Sequence, residues 1–193
     1  MKKIFLSVCA LGLALGTYAQ AVVDNAVIPV SVNINSIMRM NVVSGGNIEF
    51  AFNTIGQYTS GISNSPRYDT KFTVASSVDF KVLLYTEDDK FYGADDATHT
   101  MELGLVGFKV KYEGSATLDD NDYQKDWTNL SGRNSDATAC TLVKSKGGDI
   151  NANAYTINWS CGDDAEGASG SVLSANLAPD RYSTNIFLVL SEQ

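Results

Sequence analysis

Any chemistry in this chain has to be built from one histidine, three cysteines and 22 acidic side chains. His99 sits in the stretch Ala94-Asp95-Asp96-Ala97-Thr98-His99-Thr100, an acidic, turn-rich sequence. A Ser–His–Asp relay would need it as the base. No Gly-x-Ser-x-Gly elbow accompanies it, and Gly167-Ala168-Ser169-Gly170 only approaches one. Zinc requires three or four nitrogen or sulfur ligands, which one histidine and a bridged cysteine pair do not supply. No phosphate-cradling glycine motif occurs, because Gly104 and Gly107 fall inside a strand pattern. An enzyme is therefore not expected, nor is a cofactor.

The carboxylates come in adjacent pairs: Asp88-Asp89, Asp95-Asp96, Asp119-Asp120 and Asp163-Asp164. A glycosidase sets two carboxyls across a sugar, whereas acids adjacent in sequence mark hydrated turns. Asp119, Asn121 and Asp122 alternate as oxygen ligands and are the weak calcium candidates. The EF-hand's sixth-position glycine and twelfth-position glutamate are missing there. An irregular calcium loop and a hydrated acidic turn are the two readings of that stretch. Among the aromatics, Trp127 lies in an acidic loop and is the candidate ligand contact. Trp159 alternates with Tyr155 and Ile157 and reads as core.

The elements that position these residues begin after a removable leader. Lys2-Lys3, the apolar run Ile4–Gly16 and Thr17-Tyr18-Ala19 have the three regions of a secretory signal peptide over residues 1–19. Cys9 would leave with it. Loss of Lys2 and Lys3 leaves 12 basic against 22 acidic residues, a net charge of −10. That charge disfavours nucleic acid as a partner, because phosphate binding relies on a basic patch. No further apolar run reaches the ~20 residues of a membrane span. In an exported chain Cys140 and Cys161 are expected to form a disulfide, contributing about 3 kcal/mol by loop-closure entropy.

Apolar residues alternate at period two almost throughout. Strands are expected at Ala26–Asn35, Ile37–Val43, Ile48–Phe52, Lys71–Val74, Val78–Thr86, Met101–Tyr112, Thr141–Lys144, Tyr155–Ser160, Ser169–Leu173 and Tyr182–Leu190. A bulge at Val106-Gly107 would account for the change of face within Met101–Tyr112. Sixteen glycines and three prolines fit many turns. The fold class is all-β, a two-sheet Greek-key sandwich. The expected organisation is a signal peptide over 1–19, an extended segment over 20–35 and a β-sandwich over 36–193.

The last strand poses a question of its own. Tyr182, Thr184, Ile186, Leu188 and Leu190 form one face, and the other turns apolar at Phe187 and Val189. Such a strand belongs inside a sheet, because exposed edges invite pairing. Yet the sequence offers it no following neighbour. The extended segment, with Ala26, Ile28, Val30, Val32 and Ile34 on one face, would supply that neighbour if donated by another copy. The alternative is that the two segments pair within one chain.

Two stretches carry a family resemblance. "LAPDRYSTNIFLVLSEQ" resembles the closing strand of chaperone–usher fimbrial subunits and related secreted bacterial sandwiches, which end in a Pro-Gly-x-Tyr turn and an alternating strand. Pro179 and Tyr182 match, while Asp180-Arg181 replaces the glycine step. "VIPVSVNINSIMRMNVVSGGNIEFAFNTIG" resembles the start of such domains. The resemblance implies an immunoglobulin-like fold completed by a donated strand, Ala26 to Ile34. The acceptor edge would be Tyr182, Ile186, Leu188 and Leu190. It further implies a surface-exposed, fimbria-like structural or adhesive role, with other copies, related subunits and a periplasmic chaperone as partners. A monomeric extracellular module binding glycans or surfaces is the alternative.

Overall fold

The computed structural model describes residues 26–130, 132 and 140–193. The signal-peptide reading of residues 1–19 lies outside them. The chain forms two units, residues up to Ile34 and Asn35–Gln193. In the first, the described residues have no regular secondary structure. Val27, Ile28, Val30, Val32 and Ile34 are each about four-fifths exposed or more.

The second unit is all-β. Its strands are β1 (Met38–Ser44), β2 (Asp69–Ser76), β3 (Phe80–Thr86), β4 (Lys90–Gly93), β5 (Thr100–Glu102), β6 (Val106–Tyr112), β7 (Thr128–Asn129), β8 (Cys140–Ser145), β9 (Ala154–Cys161), β10 (Tyr182–Ser183) and β11 (Ile186–Glu192). Two short helices, α1 (Ile55–Ser60) and α2 (Val172–Ala175), interrupt the series. One sheet has the order β1-β2-β9-β6-β7, a second β11-β3-β8, and a small third β10-β4-β5. The ladders are antiparallel.

Strict alternation makes these strands one-sided. In β2 Thr70, Phe72, Val74 and Ser76 are buried, and in β3 Phe80, Val82, Leu84 and Thr86. Tyr155, Ile157 and Trp159 of β9 lie opposite Tyr112, Val110 and Phe108 of β6, so both strands point the same residues inward. The inner faces of the two larger sheets meet in one core cluster. Burying each such side chain contributes ~1.5–3 kcal/mol, which explains why the pattern fixes the sandwich.

Four expectations are corrected. Residues 26–35 form no strand, since they have no ladder partner in the described structure. Ile48–Phe52 is not a strand for the same reason, although its alternation survives, with Ile48, Phe50 and Phe52 half-buried and Glu49 and Ala51 exposed. Ser169–Leu173 contains the start of α2 instead: Ser171 caps it by accepting from the Ser174 N–H at 3.1 Å, a local bond that outweighs weak strand propensity. Between Met101 and Tyr112 the change of face is made by a 3₁₀ turn, Leu103–Leu105, rather than by a bulge at Val106-Gly107. The polar stretch 53–69, whose composition reads as a loop, also holds α1, which a capping box secures: Thr54 Oγ1 accepts from Gln57 N–H, and Gln57 Oε1 accepts from Thr54 N–H.

Candidate functional site

The two larger sheets end side by side in strands with a single neighbour. β11 pairs with β3 along its whole length, from Ile186 opposite Thr86 to Glu192 opposite Phe80. Among the described residues its other edge has no ladder partner. β1 likewise pairs only with β2. The unladdered stretch Ile48–Phe52 follows β1. Its start is pinned by a relay in which Trp159 Nε1 donates to Thr70 Oγ1 at 3.0 Å and Thr70 Oγ1 donates to the Gly45 carbonyl at 2.6 Å. Gly45 has φ +69°, and a Cβ there would lie 2.0 Å from the Asp69 carbonyl oxygen, so only glycine fits.

Between these edges lies an open groove of about 890 Å³. One wall is Met40 and Val42 of β1 with Ile48, Phe50 and Phe52; the other is Ile186 and Leu188 of β11. The floor is core: Phe91, Met101, Ile157, Trp159 and Cys161. Phe50 stacks on Tyr68 at 4.5 Å and Phe52 packs edge-on against Tyr58 of α1 at 5.4 Å, which holds that wall in place. The groove therefore opens the hydrophobic core to the outside along an edge with free backbone donors and acceptors. Such an edge is a template for one more strand.

The rim is the strap Leu177–Tyr182, which leads into β10 and β11. Tyr182 donates its hydroxyl to the Ala178 carbonyl at 2.7 Å, which ties the strap to itself four residues upstream. Arg181 Nε reaches Glu49 Oε1 at 3.4 Å, so an exposed ion pair crosses the groove mouth. Asp180 is turned inward, where it accepts backbone N–H groups from Asp95, Asp96 and Arg181. These bonds, with the Asp95 N–H foremost and the imidazole of His99 contributing, hold the Asp180 carboxyl well below the usual carboxylate range.

The sequence-predicted residues divide accordingly. Ile186, Leu188 and Tyr182 line the groove, and Leu190 packs half-buried against the core. Cys140 and Cys161 are both free thiols, so the expected disulfide is not formed in this structure. Cys140 opens β8 in the three-stranded sheet and Cys161 closes β9 in the five-stranded one, so no shared ladder brings them together. Burial raises both thiols, Cys161 to about 12, which keeps them protonated and poor as nucleophiles or metal ligands. Trp159 is buried, as its alternation indicated. Trp127 is half-buried, and Lys109 Nζ sits 4.6 Å from its ring centroid, covering a face on which a sugar would stack.

The calcium candidates form a turn instead of a cage: Asp122 Oδ2 accepts from the Asp119 N–H at 3.1 Å, and Asp120 pairs with Lys125 at 3.4 Å. A small cavity of about 140 Å³ lined by Asn121 and Asp122 is also lined by Lys144, whose ammonium opposes a cation. Among the described residues no three His, Cys, Asp or Glu side chains gather to hold a metal. His99 contacts Asp180 and, at 3.9 Å, Asp96, and among the described residues no hydroxyl or thiol hydrogen-bonds to it. Sequence reasoning missed Phe91 as groove floor, since β4 lies in an acidic stretch read as turns, and it placed Met101 at the start of a strand without showing that it faces a groove. It also missed Asp180, a carboxylate outside every acidic pair. Compared with known protein families and with curated proteins, the chain matches none.

Proposed function

We propose that this protein is a secreted, surface-associated structural or adhesive subunit, fimbria-like, that assembles when the groove of one copy accepts the Ala26–Ile34 segment of another. The observation that carries the reading is the edge of β11 that has no ladder partner among the described residues, beside an open apolar groove. The seven residues of β11 span about 23 Å at ~3.3 Å per residue, and the nine residues 26–34 are long enough to run beside them. Ile28, Val30, Val32 and Ile34 fall on one face at strand spacing and lie exposed, so burial in a groove removes their apolar surface from water. Ser31 and Asn33 would face solvent. The sandwich of antiparallel sheets supports an immunoglobulin-like domain completed in this way. Donation from one copy to the next does not close on itself and builds filaments.

Deleting residues 20–35 from the mature chain tests the assignment. The expected outcome is a soluble, less stable domain that forms no polymers, with polymers restored when a peptide bearing residues 20–35 is fused to the C-terminus of a second copy. Polymers that persist after the deletion would remove this segment as donor.

A further inference from the structure

We propose that Asp180 and His99 form a latch that fastens the β4–β5 loop to the strap Leu177–Tyr182 and keeps the groove's rim in place as the pH falls into the acidic range. The inference rests on the groove reading given above and deepens it by adding a control on the groove's shape.

The latch is built from geometry. The Asp180 side chain has no exposed surface, although the strap that carries it is half-exposed. Its Oδ1 accepts from the Asp95 N–H at 3.0 Å and the Arg181 N–H at 2.6 Å; its Oδ2 accepts from the Asp96 N–H at 3.2 Å and lies 2.9 Å from His99 Nδ1. The carboxylate thus bridges two segments about 85 residues apart in sequence. Two backbone bonds run alongside, Ala94 N–H to the Arg181 carbonyl and Gly93 N–H to the His99 carbonyl, both at 2.9 Å. A Cβ on Gly93 would lie 2.2 Å from Asp180 Oδ2, so a glycine is what lets the loop close on the carboxylate.

The charged and titratable groups around it are few. His99 and Asp96 face Asp180 from the β4–β5 loop, Arg181 and Tyr182 flank it on the strap, and Glu49 holds Arg181 from across the groove. The imidazole lies between the carboxylates of Asp180, 2.9 Å away, and Asp96, 3.9 Å away. Asp180 ionises below the usual carboxylate range in the folded protein. Its contribution is present above the unfolded-state value, ~3.9, and is lost only as the pH falls through the lower folded value.

The test is amide hydrogen exchange by NMR on the full mature chain, comparing wild type, Asp180→Asn and His99→Gln at pH 7 and at about pH 3.5, where an ordinary aspartate is mostly protonated. Wild type should keep the Asp95, Asp96 and Arg181 amides protected at both values. Asp180→Asn turns an amide donor toward N–H groups and should lose roughly tenfold or more of that protection at pH 7. His99→Gln, which removes one of the four contacts to the carboxylate, should lose less than Asp180→Asn. Unchanged protection in Asp180→Asn would overturn the latch. So would wild-type protection that falls away with the midpoint of an ordinary aspartate, an outcome readable even if the Asn variant does not fold. These amides report on the monomer, so a chain that never polymerises yet shows the predicted pattern would sink strand donation and leave the latch standing.

Discussion

β9 and β11 are both apolar strands of this sandwich, and they have opposite fates. β9 has β2 on one side and β6 on the other, and Tyr155, Ile157 and Trp159 are at most 5% exposed. β11 has β3 on one side and a groove on the other; Ile186, Leu188, Val189 and Leu190 stay half-buried and Phe187 is 41% exposed. β11, with five consecutive large apolar residues, is the more hydrophobic of the two, so composition alone would predict the opposite burial. What separates them is the second neighbour. A strand with two ladder partners spends its backbone groups inside the fold, whereas a strand with one keeps a row of donors and acceptors for something else.

The closed side is densely packed. There Asn153 Oδ1, wholly buried, accepts from Ser145 Oγ at 3.0 Å and from the Tyr155 hydroxyl at 3.3 Å, and Phe72 stacks on Tyr155 at 5.2 Å. The open side has instead an exposed Arg181–Glu49 pair across the mouth, the sort of contact worth only ~0–1 kcal/mol.

The sharpest way to break this contrast is a matched pair of truncations. Phe72→Ala removes a side chain with no exposed surface and should cost about 3–5 kcal/mol. Leu188→Ala on the open edge should cost well under half as much in the monomer, because its surface is only partly withdrawn from water. Urea unfolding of both variants checks the ratio, and equal costs would mean that β11 is as enclosed as β9. In a polymer the Leu188→Ala cost should rise, since a donated strand would cover it.

A smaller effect concerns the thiols. With Cys161 raised to about 12 and Cys140 raised by burial, both stay protonated at pH 8. A thiol reagent should react slowly with the native mature chain and label two sites quickly in denaturant. A chain that labels at neither site in denaturant without reductant would carry the disulfide expected from sequence and would correct the structure at that point. The smallest effect is expected for Trp127→Ala, which removes a partly exposed cation–π contact with Lys109 and should cost about 0.5–1 kcal/mol plus some packing. Glycan-array binding that is present in wild type and vanishes in this variant would favour a sugar-binding module over a structural subunit.

The fold class was legible because period-two alternation is a direct consequence of one-sided burial, and β2 and β3 obey it strictly. Ile48–Phe52 shows the limit of that signal: the alternation is real, but a ladder needs a partner, and periodicity does not report partners. The strand β11 was readable for the same reason, from its run of apolar residues. The groove floor was not: Phe91 reaches it from a short strand inside an acidic stretch, and the strand pattern at Met101 does not say what that residue faces. The Asp180 latch depends on residues about 85 positions apart, which no local pattern encodes.

The most direct test is the mass distribution of mature chain, residues 20–193, run in detergent without heating and after boiling, beside negative-stain images. Strand donation predicts a ladder of multiples in the unheated sample that collapses to monomer on boiling, with thin filaments in the images. Only a monomer under both conditions, even at high concentration and after slow refolding with excess copies, would contradict donation between copies and return the two end segments to pairing within one chain.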